Sequence, residues 1–295
     1  MWCILHRPRR RRRDRGRRMK RRKWKKSEVI IAILLDLLGV VAIVALSSIL
    51  LEYMGGSTVY NDLEKYVILP DEQADLPVEG ESVDYAQAGQ DEKSDGASGP
   101  KVVHYGRCPQ VDLASLRVLN NDVVGWIYGP GTKINYPIVQ GEDNSFYLTH
   151  MFDGKENKCG SIFMDSLNNA DFSNTNSILH GHHMKNGSMF ASLAQYESQE
   201  YYDSHPVLWL VTSEKSYLVE VFTGFVTDTD SDVWQIEFAA KEDYKSWLDS
   251  MKKNSMFACD VMPGAEDQIL TLATCSYKYD DARFVVMGIL READQ

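Results

Sequence analysis

One stretch limits every architecture open to this chain: Val29 to Leu51 reads VIIAILLDLLGVVAIVALSSILL, apolar on all faces, with Asp36 its one ionisable residue. As a helix rising ~1.5 Å per residue it is about 35 Å long, enough to cross a hydrocarbon core of about 30 Å. Asp36 costs about 3 kcal/mol at mid-bilayer and less near an interface, which the surrounding Leu, Ile and Val offset. A buried core helix is the bland alternative, and the dense basic run beside it argues against that. Residues 1–26 hold fifteen Lys and Arg against one acid, Asp14, whereas the rest of the chain carries 17 basic and 41 acidic residues, giving a formal net charge of −10. Positive charge stays on the cytoplasmic side of a membrane. The expectation is therefore a basic cytoplasmic tail (1–28), a single-pass transmembrane signal anchor (29–51), and everything after Tyr53 outside the cell. A cleaved secretory signal is the nearest competitor, but the apolar run is longer than an ordinary h-region and no clear small-x-small cleavage site follows. Beside such a span, the run from Arg9 to Arg18 suits anionic lipid better than nucleic acid, and no nucleic-acid partner is expected. Met19, opening MKRRKWKK, is a second candidate start.

From about Gly55 to Pro100 the chain is rich in Asp, Glu, Gly, Ser, Gln and Ala. It has too few large apolar residues to offset the entropy of ordering, so 52–104 is expected to be an acidic flexible stalk. The five cysteines, Cys3, Cys108, Cys159, Cys259 and Cys275, are an odd number without CxxC or other metal-like spacing. That spacing indicates neither a disulfide framework nor a zinc site, and at least one thiol stays free in an exported protein. A free thiol outside the cell raises the question of whether it reacts.

Only residues 105–295 show dense periodic hydrophobicity, enough for one domain with a real core. In VDLASLRVLN, Asp112 is placed to cap a helix whose Leu113, Leu116 and Leu119 recur at near-helical spacing. Eight short β-rich runs follow, separated by Gly, Asn, Asp and Pro: VVGWIY, NYPIVQ, GSIFMD, NSILHGH, HPVLWLVT, SYLVEVFTGFV, ILTLATC and RFVVMGIL. They predict a mainly β fold, a closed or nearly closed eight-stranded barrel. Helical segments interrupt it at SMFASLAQY and at KEDYKSWLDSMKKN, where Tyr244, Trp247, Leu248 and Met251 fall at i, i+3, i+4 and i+7.

Three residue types at strand ends suggest chemistry. Cys275 closes ILTLATC just before a polar loop, near the surface, although an isolated Cys is often only a small core residue. Eight residues on, Arg283 opens the last apolar run, so a hairpin can bring its guanidinium beside the thiol; a salt bridge to Asp280 or Asp281 is the alternative use. The run NSILHGH ends in His180, Gly181, His182 and His183. A metal site or solvated histidines are the alternatives there. Adjacent His182 and His183 point to opposite faces of a strand, which makes one shared metal awkward, and no metal ligand is assigned. Nucleophile, proton donor and cation together are the parts needed for acyl transfer through a thioester.

TLATC with Arg283 eight residues later, and ILHGHHMKNGSMF, closely resemble the two signature segments of class B sortases, membrane-anchored cysteine transpeptidases. The resemblance extends over nearly all of residues 111–290, including NDVVGWIYGPGTKINYPIVQGEDNSFYL and the amphipathic helix before the cysteine strand. It implies a sortase-like β-barrel with peripheral helices over 105–295. By position, the family's catalytic histidine follows the Gly of a Tyr-Gly-His motif and corresponds to His182, while Cys275 and Arg283 match the family's cysteine and arginine. His180 stands where that Tyr is usual, so substrate contacts of the ring differ or pass to imidazole. Asn144, Leu148 and Thr274 match groove positions and, with His180, are the expected substrate contacts.

The resemblance further implies that Cys275 attacks the carbonyl after Thr in a sorting signal near the carboxy terminus of a surface protein. His182 supplies a proton to the leaving segment and Arg283 steadies the oxyanion. An amine of a peptidoglycan precursor then resolves the thioester, with no metal or organic cofactor required. A pilus-polymerising sortase using a pilin lysine, a hydrolytic cysteine protease and a non-enzymatic adhesin are the rival readings.

Overall fold

The computed structural model describes residues 25–70 and 107–293, in two units, 1–50 and 51–295. Helix α1 (Lys26–Leu63) covers the apolar run. Side chains at several positions of the run, Val29 and Ala32 among them, lie outside the described residues, as do residues 1–24 of the basic tail. Among the described residues no helix is long and apolar enough to cross a membrane.

The second unit is a barrel. Two short strands, β1 (Val67–Ile68) and β2 (Gln110–Val111), form a separate antiparallel ribbon. Eight more close the barrel: β3 (Val123–Tyr128), β4 (Asn135–Val139), β5 (Ile162–Met164), β6 (Asn176–His180), β7 (Val207–Val211), β8 (Ser216–Thr227), β9 (Ile269–Cys275) and β10 (Arg283–Ala293). Their order is β10-β8-β7-β3-β4-β5-β6-β9. The β4–β5 and β6–β9 pairs are parallel, so the sheet is mixed. All eight runs expected as strands form strands. Many read as unbroken apolar runs because both faces are covered: all five residues of β7 are buried.

The two faces belong to two clusters. Leu270, Leu272, Phe284 and Val286 join the core that includes Trp126, Phe190 and Tyr196. Their neighbours Ile269, Ala273, Val285, Met287 and Ile289 point the other way, into a cluster with Tyr244, Trp247, Leu248 and Met251 of helix α5 (Lys241–Lys253). The stripe read from the sequence is thus what covers the outer face of the β9–β10 hairpin. Helix α2 (Leu113–Leu119) is capped as expected, with Ser115 N donating to Asp112 Oδ1 at 3.0 Å. Leu113 and Leu116 are buried, but Leu119, at the helix end, is exposed. Helices α3 (Phe146–Thr149) and α4 (Gln199–Ser204) are short, and SMFASLAQY becomes a 3₁₀ helix, Ala191–Glu197.

Part of the stretch expected as stalk is packed instead. Tyr60 and Leu63, near the end of α1, are buried in the barrel's core cluster. The Tyr60 hydroxyl donates to Gly160 O at 2.6 Å, and its ring meets Tyr136 edge-on at 5.4 Å. Gly56 lies against Cys159, where a Cβ would come within 2.8 Å of Sγ. Gly56, Tyr60 and Leu63 fall at i, i+4 and i+7, one helical stripe. A window averaged over the polar residues that follow hides that stripe. Residues 71–106 of the expected stalk lie outside the described residues.

Candidate active site

Strand β9 ends at Cys275 and β10 begins at Arg283, and the antiparallel register sets these two residues directly opposite each other. Opposed residues share a face with Cβ atoms about 4.5–5.5 Å apart, so the thiol and the base of the arginine side chain are neighbours by construction. Alternation puts both on the outer face with Ala273 and Val285. The turn closes through Ser276 N donating to Ala282 O at 2.8 Å, with Asp281 at φ 60°, a left-handed conformation that Asp tolerates. Arg283 Nη1 donates to the carbonyls of Asp281 (3.1 Å) and Ala282 (3.2 Å). Among the described residues neither Asp280 nor Asp281 pairs its carboxylate with this guanidinium, so the salt-bridge use is not what the structure shows. Cys275 is half-buried and free.

The histidine side of the site arrives by a different route. Strand β6 runs parallel to β9 and ends with His180 beside Ala273. Gly181 N continues the ladder by donating to Ala273 O at 3.0 Å. A Cβ on Gly181 would come within 2.7 Å of the Phe190 ring, so a side chain there would displace the segment that carries His182. His182 Nε2 lies 2.6 Å from Leu148 O. A carbonyl only accepts, so Nε2 carries the hydrogen and Nδ1 is the ring nitrogen left for a reacting group. Among the described residues no carboxylate orients this ring; a backbone oxygen does.

His183 and Tyr277 tie the two signature segments together. His183 Nδ1 donates to Cys275 O at 3.0 Å, and the Tyr277 hydroxyl donates to His183 O at 3.1 Å, with the rings 5.0 Å apart. Neither residue was singled out as functional from the sequence. Their partners are backbone carbonyls, which every residue has, so spacing gave no signal.

The expected substrate contacts divide. His180 Nε2 sits 3.0 Å from Asp165 Oδ2, and Asn144 Nδ2 donates to the same oxygen at 2.9 Å. His180 and Asn144 thus meet on a shared carboxylate that the sequence reading missed. Burial pushes Asp165 up, but hydrogen bonds from His180, Leu167 N and Asn144 outweigh it and hold the carboxyl below its ordinary value. His180 also lies 6.1 Å from Trp234, ring to ring. Leu148 is half exposed, yet what it gives the site is its carbonyl. Thr274 does not reach the groove: it is 2 % exposed, on the inward face with Leu272, and its hydroxyl has no hydrogen-bond partner among the described residues. The cause is strand alternation, which turns Thr274 inward when Cys275 turns outward.

The three clustered histidines serve three separate partners: Asp165, Leu148 O and Cys275 O. Among the described residues no group of three metal-ligating side chains assembles.

Comparison with known proteins gives the family. Residues 127–291 match the family model described as the sortase domain. Sortase B of Listeria monocytogenes is 36% identical over 181 residues, which cover 61% of this chain and 74% of that protein. Sortase B of Staphylococcus aureus is 37% identical over 176 residues, 59% of this chain and 72% of that one. The 2.0 Å crystal structure of the Staphylococcus aureus enzyme superposes with a TM-score of 0.59 at 35% identity, covering 62% of this chain and 87% of the other. By the family match and by these relatives, the chain belongs to the sortase family, in its class B branch of membrane cysteine transpeptidases.

Proposed function

We propose that this enzyme joins surface proteins to the cell wall through a thioester on Cys275. The supporting observation is the β9–β10 register, which places Cys275 against Arg283, with His182 carried to the same rim by the parallel β6–β9 pair. Cys275 passes its thiol proton to His182 Nδ1, and Sγ attacks the carbonyl carbon after Thr in a carboxy-terminal sorting signal. The carbonyl oxygen takes the negative charge, and Arg283 stabilises it in the way an oxyanion donor does, an effect of order 10²–10³ in rate. The C–N bond then breaks, and the leaving amine takes its proton from His182. In the second half, the amine of a peptidoglycan precursor attacks the thioester, Cys275 departs as thiolate, and the proton released by the amine returns to His182.

The groove contacts of this reading are His180, Asn144 and the exposed side chain of Leu148, with Asp165 fixing the first two. The Leu148 carbonyl has a second task, holding the His182 ring. In this reading the barrel works at the membrane, on the outer side, where secreted proteins and wall precursors both emerge.

Incubating the enzyme with a sorting peptide and a wall-peptide amine tests the transfer. The expected product is the peptide joined to the amine, its yield rising with amine concentration. A product that is free acid at every amine concentration identifies a hydrolase and refutes the transfer. Turnover only with a pilin lysine as acceptor identifies the pilus-building variety.

A further inference from the structure

Lys252, in the last turn of α5, turns its side chain inward under the segment that follows the helix. Its Nζ lies 2.9 Å from Cys259 O, 3.1 Å from Val261 O and 3.2 Å from Phe222 O. An ammonium has three N–H donors, and these three carbonyl oxygens take them all. A fourth contact remains: Nζ is 2.7 Å from Cys259 Sγ. The Cys259 thiol itself donates to Phe222 O at 3.3 Å, so its hydrogen is turned away and a sulfur lone pair faces Nζ. Both side chains are half-buried, neither is among the residues assigned to the site, and Cys259 is free.

A nitrogen and a sulfur held at this distance are spaced to accept one oxygen atom between them. We propose that Lys252 and Cys259 form a reversible Nζ–O–Sγ crosslink when the protein meets peroxide outside the cell. The Cys259 thiolate attacks a peroxide oxygen: the S–O bond forms, the O–O bond breaks, and the departing hydroxide takes a proton to become water. Lys252 gives up its ammonium proton to solvent, and its amine nitrogen bonds to the sulfenic oxygen. That second step is a two-electron oxidation. A second peroxide accepts the electrons and the two hydrogens lost from nitrogen and oxygen, and leaves as two waters. In sum, one thiol, one amine and two peroxides give the bridge and three waters. Two equivalents of a dithiol reverse it, releasing one water. The carbonyl cage supplies what the step needs most, a nitrogen that cannot swing away from the sulfur. The bridge would tie the end of α5 to the segment leading into β9, the strand that ends in Cys275.

The test uses the full chain carrying Cys275→Ala, so that the catalytic thiol consumes no oxidant. The protein is treated with hydrogen peroxide, digested and mapped by tandem mass spectrometry. The expected result is a pair of peptides joined through Lys252 and Cys259 and heavier than their sum by about 14 Da, one oxygen gained and two hydrogens lost. The link disappears after dithiothreitol and is absent from Cys259→Ser and Lys252→Arg. A joined pair lighter by about 2 Da means a direct S–N bond and overturns the oxygen bridge. Cys259 recovered as sulfinic acid, or in a disulfide, with Lys252 unlinked overturns the proposal. The map of the protein with both residues intact decides the matter alone, so poor folding of either variant rescues nothing.

Discussion

The two halves of the proposed active site are built by opposite means. Cys275 and Arg283 sit on adjacent strands of one hairpin, eight residues apart, and their meeting is a matter of register. His182 comes from a strand some ninety residues earlier, and its ring is set by Leu148 O, with His183 clasping Cys275 O close by. The first half is a local device that any correctly closed hairpin reproduces. The second depends on contacts between distant segments, each worth about 1 kcal/mol, and so is the half that small changes can misplace. Side chains on the hairpin should therefore govern chemistry directly, whereas those around the histidine should act through geometry.

The largest way to sharpen this contrast is Arg283→Lys. It keeps the charge but loses the planar fork, and kcat/KM should fall by about 10²–10³ with the fold unchanged, measured by steady-state peptide cleavage. A loss below threefold would remove Arg283 from the chemistry. Next comes Gly181→Ala, which drives a methyl into Phe190 and should cost about 1–3 kcal/mol in chemical denaturation. Smaller again is His183→Phe, which keeps the ring contact with Tyr277 but removes the bond to Cys275 O. We expect kcat to drop about tenfold with KM nearly constant, since a misplaced nucleophile slows reaction more than binding. His183→Asn, which can still donate to that carbonyl, should recover part of the loss; equal defects in both variants would assign His183 a packing role only.

The smallest effect belongs to Asp165. Its carboxyl is held below its ordinary value in the folded state, so the unfolded chain binds the proton more readily. The stabilisation is complete above the unfolded value of about 4 and is lost as pH falls through the lower folded value. Acid-unfolding curves should show this dependence in the parent and a flatter one in Asp165→Asn. KM for the sorting peptide should rise a few-fold in the variant as His180 and Asn144 lose their common anchor.

What could be read from the amino acids follows the same division. The eight strands were legible because strands covered on both faces are continuous apolar runs between turn residues, and the α5 stripe because Tyr244, Trp247, Leu248 and Met251 keep helical period. The eight-residue spacing made the Cys275–Arg283 hairpin legible too. Asp165 and His183 were not, since a carboxylate fifteen residues from its histidine and a ring on a backbone oxygen leave no pattern in spacing. Tyr60 and Leu63 were lost in the average over an acidic segment. Thr274 was the avoidable miss: alternation along ILTLATC already turns it inward when Cys275 faces out.

The proposed transfer turns on Cys275 Sγ taking the acyl group. Mixing the enzyme with a sorting-signal peptide and no amine acceptor, quenching in acid and measuring intact mass tests that directly. The account expects the mass of the amino-terminal half of the peptide to appear on the protein, to map to Cys275 after digestion, and to vanish on adding an amine. An adduct that persists in Cys275→Ala, or cleavage that proceeds with no adduct under single-turnover conditions, would contradict it.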